Sequence, residues 1–289
     1  MYFDKREQWM ASAGSIFVGL VIFAAILLQG VYTPEAPYWV PLSQRTNNGI
    51  ALCILLALSL PSILEYQNSR WLKAVERNVP YLLRDLSEAV QSGVPLVTAL
   101  EEASVRDYGP VSKPLENSLV RFNLTSDLRG SLKWLGEKLI KPSAKRMSTV
   151  LVEAYEAGGL VKDVLEKSVE LFTSISDYKD ERASQTSPYI AVVYIGNAVF
   201  LIISWVVLVR FLLPLSVATT DPLVAQSSAL ASILDMDYYK SILFWASTMG
   251  SLLGGLIAGK ISDGRVAAGL IHSEILLLIT LVFYNLFSV

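Results

Sequence analysis

Five stretches of this chain are apolar over enough consecutive residues to cross a lipid bilayer, and this feature limits the possible folds most strongly. The hydrocarbon core of a bilayer is about 30 Å thick, so a helix needs roughly 20 apolar residues to span it. We place the spans at residues 12–31, 48–64, 189–213, 241–259 and 267–288. The first run lacks a clear small-x-small cleavage site, which favours a span over a signal peptide. The sequence therefore predicts an all-α membrane protein with five transmembrane helices.

Charged residues are concentrated between the second and third spans. Residues 65–187 hold 17 of the 24 Lys and Arg and 18 of the 26 Asp and Glu, although 53% of the chain is hydrophobic. This composition combines membrane helices with a polar domain. We therefore predict two transmembrane helices in residues 1–64, a helical domain at 65–187, and three transmembrane helices in residues 188–289.

Lys and Arg near the span ends fall mainly on one side of the membrane, which carries Lys5, Arg6, Arg70, Lys73, Arg77, Lys179, Arg182, Lys260 and Arg265. The loops on the other side hold only Arg45 and Lys240. Basic residues are enriched in cytoplasmic loops. We therefore expect a multi-pass protein of the cell membrane, with the N-terminus and residues 65–187 in the cytoplasm and the C-terminus outside. An interfacial aromatic belt is expected at Tyr32, Tyr38, Trp39, Tyr238 and Tyr239.

The composition gives little support for catalysis or nucleic-acid binding. A net charge of −2 offers no basic excess to displace counterions from nucleic acid. Cys53 and His272 are the only cysteine and histidine, so the usual metal sites and nucleophile–base pairs lack their parts. We predict no catalytic residue, no cofactor and no metal. A membrane-bound enzyme stays an alternative, because catalytic carboxylates can lie far apart in sequence.

The polar domain contains a helical hairpin. Apolar side chains follow helical spacing from Val79 to Val90, and Gly93 interrupts the pattern. Pro95 is tolerated near the first turn of a following helix. The apolar face then resumes at Leu96, Ala99, Leu100 and Ala103.

A second hairpin of similar sequence follows. Residues 86–93 align without a gap on residues 151–158, and residues 96–102 resemble 160–166 once a single residue is dropped. Two similar hairpins predict a pseudo-symmetric helical bundle. The alternative is a chance similarity between amphipathic helices.

A basic run lies between the two hairpins. Its members are Arg129, Lys133, Lys138, Lys141, Lys145 and Arg146, against only Asp127 and Glu137. Such a run is commonly a solvated helix face. The alternative is a docking surface for an acidic partner, which complementary charge would orient and accelerate.

Small and ionisable residues occur inside the last three spans. The fourth span contains Gly250, Gly254, Gly255 and Gly259, two small-xxx-small steps that predict close helix packing within this chain or, alternatively, a dimer seam. Arg210 lies three residues before its span ends and is expected to extend to the outer interface. Glu274 lies about a third of the way into the last span, where we predict a buried, hydrogen-bonded carboxyl rather than a proton relay.

The hairpin sequences at 83–100 and 153–165, followed by the last three spans, resemble the type II secretion F-domain family. These are the polytopic platform proteins of type IV pili, archaella, Tad-type pili and type II secretion. The closing segments 255–265 and 269–273 are similar to the archaeal and Tad-like branches. The resemblance covers most of residues 70–289.

The resemblance implies a non-enzymatic platform that couples a cytoplasmic hexameric secretion ATPase to pilin-like filament subunits in the bilayer. Larger members have two F-domains, so this chain is expected to work as a homodimer or beside a sister chain. From the charges we expect the six cations of the basic run, together with Lys260 and Arg265, to face the ATPase. The main alternative is a transporter or channel subunit, which would need polar or broken helices converging at mid-membrane.

Overall fold

The structure is a computed structural model that describes residues 5–28, 40–214 and 236–287. Every regular element in these ranges is a helix, and five of the helices are long and apolar enough to cross a membrane. The predicted all-α class with five spans is therefore confirmed. Positions 29–31 and 288 of the predicted spans, and Tyr32, Tyr38 and Trp39 of the predicted aromatic belt, lie outside the described residues.

The α-helices of these ranges are α1 (Lys5–Leu28), α2 (Gln44–Gln91), α3 (Leu96–Ser104), α4 (Ser112–Thr125), α5 (Leu128–Leu139), α6 (Pro142–Glu156), α7 (Val161–Val206), α8 (Met236–Asp263) and α9 (Leu270–Leu286). Short 3-10 turns occur at Gly109–Val111, Gly158–Leu160 and Val266–Gly269. A π-helical segment, Val207–Leu212, continues α7.

Contacts divide the chain into two compact units. The polar unit comprises residues 67–185, and the membrane unit comprises residues 5–66 together with the described residues from 186 onward. Helices α2 and α7 each contribute residues to both units.

The polar unit is a helical bundle around one apolar core, formed by the last part of α2, helices α3 to α6 and the first part of α7. Apolar side chains recur at helical spacing, as the fully buried Leu82, Leu83 and Leu86 on α2 illustrate. Burial of each such leucine contributes roughly 1.5–3 kcal/mol. The predicted core positions on α3 are buried as well: Leu96, Ala99, Leu100 and Ala103.

Gly93 ends α2 and begins the turn to α3, with a φ of 94°. The backbone N–H of Val94 donates to the carbonyl of Ala89 at 3.1 Å, and that of Gly93 donates to Val90 at 3.0 Å. This pair of bonds closes a helix through a left-handed residue. Glycine adopts that conformation without a Cβ clash, so the helix end predicted at Gly93 is confirmed.

The second hairpin has its turn glycine at the matching position. Gly158 follows α6 with a φ of 56°, and Leu151 is fully buried like its counterpart Leu86. The hairpins differ after the glycine, because Gly158–Leu160 forms a 3-10 turn whereas Pro95 precedes α3 in an extended conformation. The similarity between the hairpins therefore extends to the helix ends and turn glycines but not to the connections.

Glu76 joins three segments of the polar unit. Its Oε1 lies 3.0 Å from Lys179 Nζ on α7, and its Oε2 lies 3.3 Å from Lys141 Nζ at the start of α6. Burial alone would raise the pKa of Glu76, but the hydrogen bonds and positive charges of Lys179 and Lys141 together outweigh burial and lower that pKa. Glu76 is therefore held as a carboxylate between two ammonium groups.

Helices α8 and α9 of the membrane unit pack along a row of small residues on α8. The row repeats every fourth residue, at Ser247, Ser251, Gly255 and Gly259, and all four positions are buried. A Cβ added at Gly255 would overlap the backbone of α9, and one at Gly259 would overlap the backbone of the turn before it. Small residues allow this close approach, which brings van der Waals contact between helices in a membrane.

Hydrogen bonds cross the same seam where the row carries serine. Ser247 Oγ lies 3.0 Å from Tyr284 Oη, and Ser251 Oγ lies 2.7 Å from Thr280 Oγ1. Ser251 also donates to Asn197 Oδ1 on α7 at 3.0 Å. Polar side chains in a membrane interior hold helices together in this way.

Gly250 and Gly254 lie on a different face of α8. An added Cβ at Gly254 would come 3.2 Å from Val193 Cγ1, whereas one at Gly250 would meet no atom within 4 Å. These two glycines help line a groove of about 260 Å³ between α7 and α8, with Gly196, Asn197 and Phe200 among its other lining residues. Of the four glycines singled out in the sequence, only Gly255 and Gly259 lie against the backbone of the α9 segment, whereas Gly254 approaches only a side chain of α9, that of Leu276.

Two further contacts join α2 to its neighbours within the membrane unit. Ser15 on α1 donates a hydrogen bond to the carbonyl of Leu56 at 2.8 Å. One turn later on α1, a Cβ added at Gly19 would lie 2.8 Å from Ala57 Cβ, so α1 and α2 approach closely here. Near the start of α2, the buried Asn47 donates to Ser241 Oγ and accepts from Trp245 Nε1, each at 2.9 Å. Neither contact is predicted by the sequence.

Replacement of Gly259 by alanine should lower the stability of the purified protein in detergent by about 2 kcal/mol, because the new methyl group forces α9 away from α8. The matched variant Gly250→Ala, on the same helix, should be neutral or slightly stabilising, since its methyl group enters open space. Unfolding by SDS, followed by circular dichroism, measures both. Equal stability of the two variants would contradict the packing described for α8 and α9.

The Glu76→Gln variant should lose about 1 kcal/mol of stability at neutral pH. Because the folded-state pKa of Glu76 is lowered, its contribution is present above the ordinary value of 4.5 and is lost as the pH falls through the folded-state pKa. The difference between wild type and variant should therefore shrink below about pH 4.5. Thermal unfolding between pH 3 and 7 tests this, with the exposed Glu88→Gln on the same helix as control. A pH-independent difference would exclude the ion pairs as its cause.

Candidate partner-binding surface

Five of the six cations of the basic run are exposed because their helices bury the opposite faces. On α5 the buried positions are Leu128, Ser131, Leu132, Leu135, Gly136 and Leu139. On α6 they are Ala144, Met147, Ser148, Leu151 and Ala154. Both sets follow helical spacing, which leaves Arg129, Lys133 and Lys138 on α5 and Lys145 and Arg146 on α6 exposed to solvent.

Helices α5 and α6 are adjacent and antiparallel. Ser148 donates to the carbonyl of Leu132, and an added Cβ at Gly136 would lie 2.7 Å from Ser148 Cβ. At the other end of the pair, Arg129 at the start of α5 lies 3.4 Å from Glu156 at the end of α6. The exposed cations therefore belong to two neighbouring helices.

Local sequence fixes both ends of this helix pair. Asp127 caps α5 by accepting a hydrogen bond from the Gly130 N–H at 2.9 Å. Pro142 begins α6, where its missing N–H costs nothing. Between the helices, Ile140 has a φ of 65°, an unusual value for a β-branched residue, and the next N–H closes a tight turn.

The six cations differ in how much of their charge is available to a partner. Arg129 forms an exposed ion pair with Glu156, and Lys141 is half-buried beside Glu76. Lys133, Lys138, Lys145 and Arg146 have no carboxylate within ion-pair distance among the described residues. Lys141 departs from the expectation of a solvent-facing cation, because Glu76 approaches it from a distant part of the sequence.

The four exposed and unpaired cations form the free basic set: Lys133, Lys138, Lys145 and Arg146. Exposed charges create a field that extends about 8–10 Å at physiological ionic strength, so the set can attract and orient an acidic surface. Glu137 and Glu153 are exposed on the same helices and reduce this field locally. The arrangement suits recognition of a macromolecule, since it forms no enclosed pocket for a small ligand.

The two cations predicted between the fourth and fifth spans also differ from each other. Lys260 is exposed in the last turn of α8, and no carboxylate of the described residues lies within ion-pair distance of it. Arg265 lies 2.8 Å from Glu65 Oε1 on α2, within the same unit. Its guanidinium therefore already stabilises the membrane unit by holding this turn against α2.

The ionisable residues of the last spans fall in different environments. Arg210 is exposed in the π-helical segment at the end of α7, as expected for a side chain that extends toward the interface. Glu274 on α9 is half-buried and has no hydrogen bond or ion pair with any described residue. The prediction of a buried, hydrogen-bonded carboxyl at Glu274 is therefore wrong.

No group of three or more His, Cys, Asp or Glu side chains in the described ranges is placed to hold a metal ion. The single cysteine, Cys53, is buried on α2. His272 Nδ1 and Tyr194 Oη are hydrogen-bonded to each other at 2.9 Å. These residues serve packing within the membrane unit.

Comparison with known proteins adds independent information. Residues 82–209 match the family model described as type II secretion system (T2SS), protein F. The matched region includes both hairpins, the free basic set and all of α7. No solved structure matches the chain.

An uncharacterized protein of Methanocaldococcus jannaschii is 27% identical to this chain over 241 residues. The aligned region covers 81% of this chain but only 37% of that protein, so the chain spans little more than a third of its relative. The family match, however, falls on the hairpin residues from which the resemblance was first inferred. We conclude that this membrane protein carries a type II secretion system protein F domain within residues 82–209, which confirms the family resemblance of its sequence.

Proposed function

We propose that this chain is a non-enzymatic membrane platform of a type IV filament or secretion machine, of the archaeal or Tad-like branch. In this role the polar unit binds a hexameric secretion ATPase in the cytoplasm. The membrane unit guides pilin-like subunits between the bilayer and a growing filament. The protein F domain at residues 82–209 is the observation that carries this proposal.

The distribution of charge supports an acidic macromolecular partner for the polar unit. The free basic set offers four solvated positive charges on two adjacent helices, and none of them is needed for an ion pair within the described residues. Charged side chains that a fold does not use for its own stability are available for recognition, where they raise association rates and select partners. An ATPase with an acidic docking surface satisfies this requirement.

The basic residues that flank the spans support a cytoplasmic location for the polar unit. Lys and Arg near the span ends lie overwhelmingly on the side of the polar unit, and this bias sets orientation in membranes. A motor that consumes ATP must also lie on that side. We therefore place the polar unit and the turn between α8 and α9 in the cytoplasm, where Lys260 offers a further contact for the same partner.

Pairing of platform chains forms the second part of the proposal. The match to the family lies at residues 82–209, whereas the family includes larger members with two such domains. We propose that a second copy or a sister chain supplies the other domain. Chemical crosslinking in native membranes distinguishes a homodimer from a mixed pair by the masses of the products.

Charge reversal in the free basic set should weaken ATPase binding. The double variant Lys145→Glu/Arg146→Glu should bind the purified secretion ATPase of the same organism at least about tenfold more weakly, because attraction becomes repulsion across the interface. Microscale thermophoresis with the full chain in detergent measures the dissociation constant. The variant should insert and unfold like wild type, since neither side chain is in an ion pair or in the core.

The matched control is Arg84→Glu/Lys162→Glu, which changes the net charge equally on exposed positions of α2 and α7 that form no ion pair among the described residues. It should leave binding within about twofold of wild type. Lys141 is omitted from the test because its reversal would disrupt the contact with Glu76. Unchanged binding by the Lys145/Arg146 variant, or equal weakening by the control, would remove the free basic set from the proposed interface.

Orientation is tested by labelling one exposed residue of the polar unit. A Lys113→Cys variant should react with a membrane-impermeant maleimide in inverted membrane vesicles and should stay unlabelled in intact cells. Cys53 is buried and serves as the internal reference for unreactive thiol. Labelling of Lys113→Cys from outside intact cells would place the polar unit beyond the reach of any ATPase and would refute the proposed function.

A further inference from the structure

Glu274 lies well inside the last membrane-spanning segment. At 1.5 Å per residue it is about 12 Å from the beginning of the apolar segment Val266–Leu286, which is about 31 Å long. A glutamate side chain is too short to carry its carboxyl group from that depth to the membrane surface. The carboxyl group must therefore be accommodated within the hydrocarbon region.

All other hydrogen-bonding side chains of α9 have partners inside the membrane unit. His272 pairs with Tyr194, Ser273 donates to the carbonyl of Leu252, and Asn285 accepts from Asn48. Thr280 and Tyr284 bond to serines of α8, as described above. Glu274 alone on this helix makes no hydrogen bond or ion pair with a described residue.

The side chain of Glu274 is directed to the edge of the unit rather than to its centre. It is half-buried, and the exposed Leu278 and Val282 follow it at one and two helical turns on the outer surface of α9. The inner surface of the helix is formed by other residues, among them the buried Ser273 and Leu277. The carboxyl group therefore borders a lipid-facing apolar strip.

Ionisable side chains inside a membrane almost always pair with another polar group, because an unpaired charge in hydrocarbon is costly. Within this chain the described neighbours of Glu274 supply no such group. A second molecule can supply it, and the group that best complements a carboxylate is a cation that also donates hydrogen bonds.

A second copy of this chain offers no Lys or Arg at the required depth, and the histidine of this helix, His272, is already hydrogen-bonded to Tyr194. Arg210 is the only Lys or Arg inside any of the five predicted spans, and it lies three residues before the end of the third span. Spans α7, α8 and α9 alternate in direction, so Arg210 lies near the membrane face where α9 ends, whereas Glu274 lies nearer the face where α9 begins. The partner is therefore a different protein.

We propose that Glu274 is an intramembrane recognition site for a transmembrane helix of another protein, one that carries an amine or guanidinium group at the depth of Glu274. The helix packs along the exposed strip of Leu278 and Val282, and its cation pairs with the carboxylate. The inference concerns the chemistry of the partner and does not depend on the free basic set or on ATPase binding.

The test uses the full chain in phosphatidylcholine vesicles with designed single-span helices as probes. The probe is a 21-residue leucine-rich helix with one lysine at its eighth position, compared with the same helix carrying leucine or glutamate there. Energy transfer from a donor on Lys113→Cys to an acceptor on the probe reports association. We expect the lysine helix to bind wild type about tenfold more tightly than the leucine helix.

Two variants at Glu274 separate charge from shape. Glu274→Leu should abolish the preference for the lysine helix, and Glu274→Lys should reverse it, so that the glutamate helix binds about tenfold more tightly than the leucine helix. The matched control Ile275→Leu, at an exposed neighbouring position, should retain the wild-type preference. Because Glu274 has no internal partner, Glu274→Leu should unfold at the same SDS fraction as wild type or a higher one.

Several results would overturn the proposal. Equal binding of the lysine and leucine helices, or a preference that survives in Glu274→Leu, would exclude a charge pair at this residue. Failure of the Glu274→Lys variant to prefer the glutamate helix would also exclude a charge pair at this residue. Reduced stability of Glu274→Leu would indicate an internal partner, and self-association of wild type that disappears in Glu274→Leu would indicate a second copy. The assay contains no ATPase, so none of these results bears on the proposed function.

Discussion

The cost of an unpaired polar group in hydrocarbon is the constraint on which the membrane unit depends. Long apolar runs are sufficient to place five helices in the bilayer. Contact with lipid, however, stabilises an apolar helix surface about as well as contact with another apolar helix, so it does not select which helices are neighbours. The specific arrangement comes from polar and small residues that only a neighbouring helix can accommodate. The seam from Ser247 to Gly259 shows both effects, since its serines bond to α9 and its glycines admit the α9 segment at backbone distance.

The polar unit is stabilised differently, because water can hydrogen-bond to its surface groups and its stability comes from a leucine-rich core. Charge there is divided between two uses. Glu76, Lys141 and Lys179 bind the segments of the unit to one another, whereas Lys133, Lys138, Lys145 and Arg146 make no ion pair in the described structure. This division explains why a count of basic residues overestimates the surface that a partner can use. The same division connects the fold to the proposed function, since only cations without an ion pair inside the fold are available to pair with the carboxylates of a partner.

Much of the fold was predictable because its signals are local. The apolar runs, the turn glycines Gly93 and Gly158 and the spacing of the leucines can be read within a few residues of each position. The four-residue spacing of Ser247, Ser251, Gly255 and Gly259 is also present in the sequence, but the predicted packing residues include only its glycines. The contacts of Asn47 with Ser241 and Trp245 gave no such signal, because they join residues almost 200 positions apart.

The sequence by itself determined the helical class, the five spans, the concentration of charge between the second and third of them, and the resemblance that the family match confirmed. These properties depend on composition and periodicity, which are independent of how helices meet. Only the tertiary structure decided that Gly259 lies against the neighbouring backbone while Gly250 lines an open groove, that Lys141 is held by Glu76, and that Glu274 has no partner within its own unit. Each of these outcomes depends on which distant segment approaches a side chain, and residue type alone does not specify that neighbour.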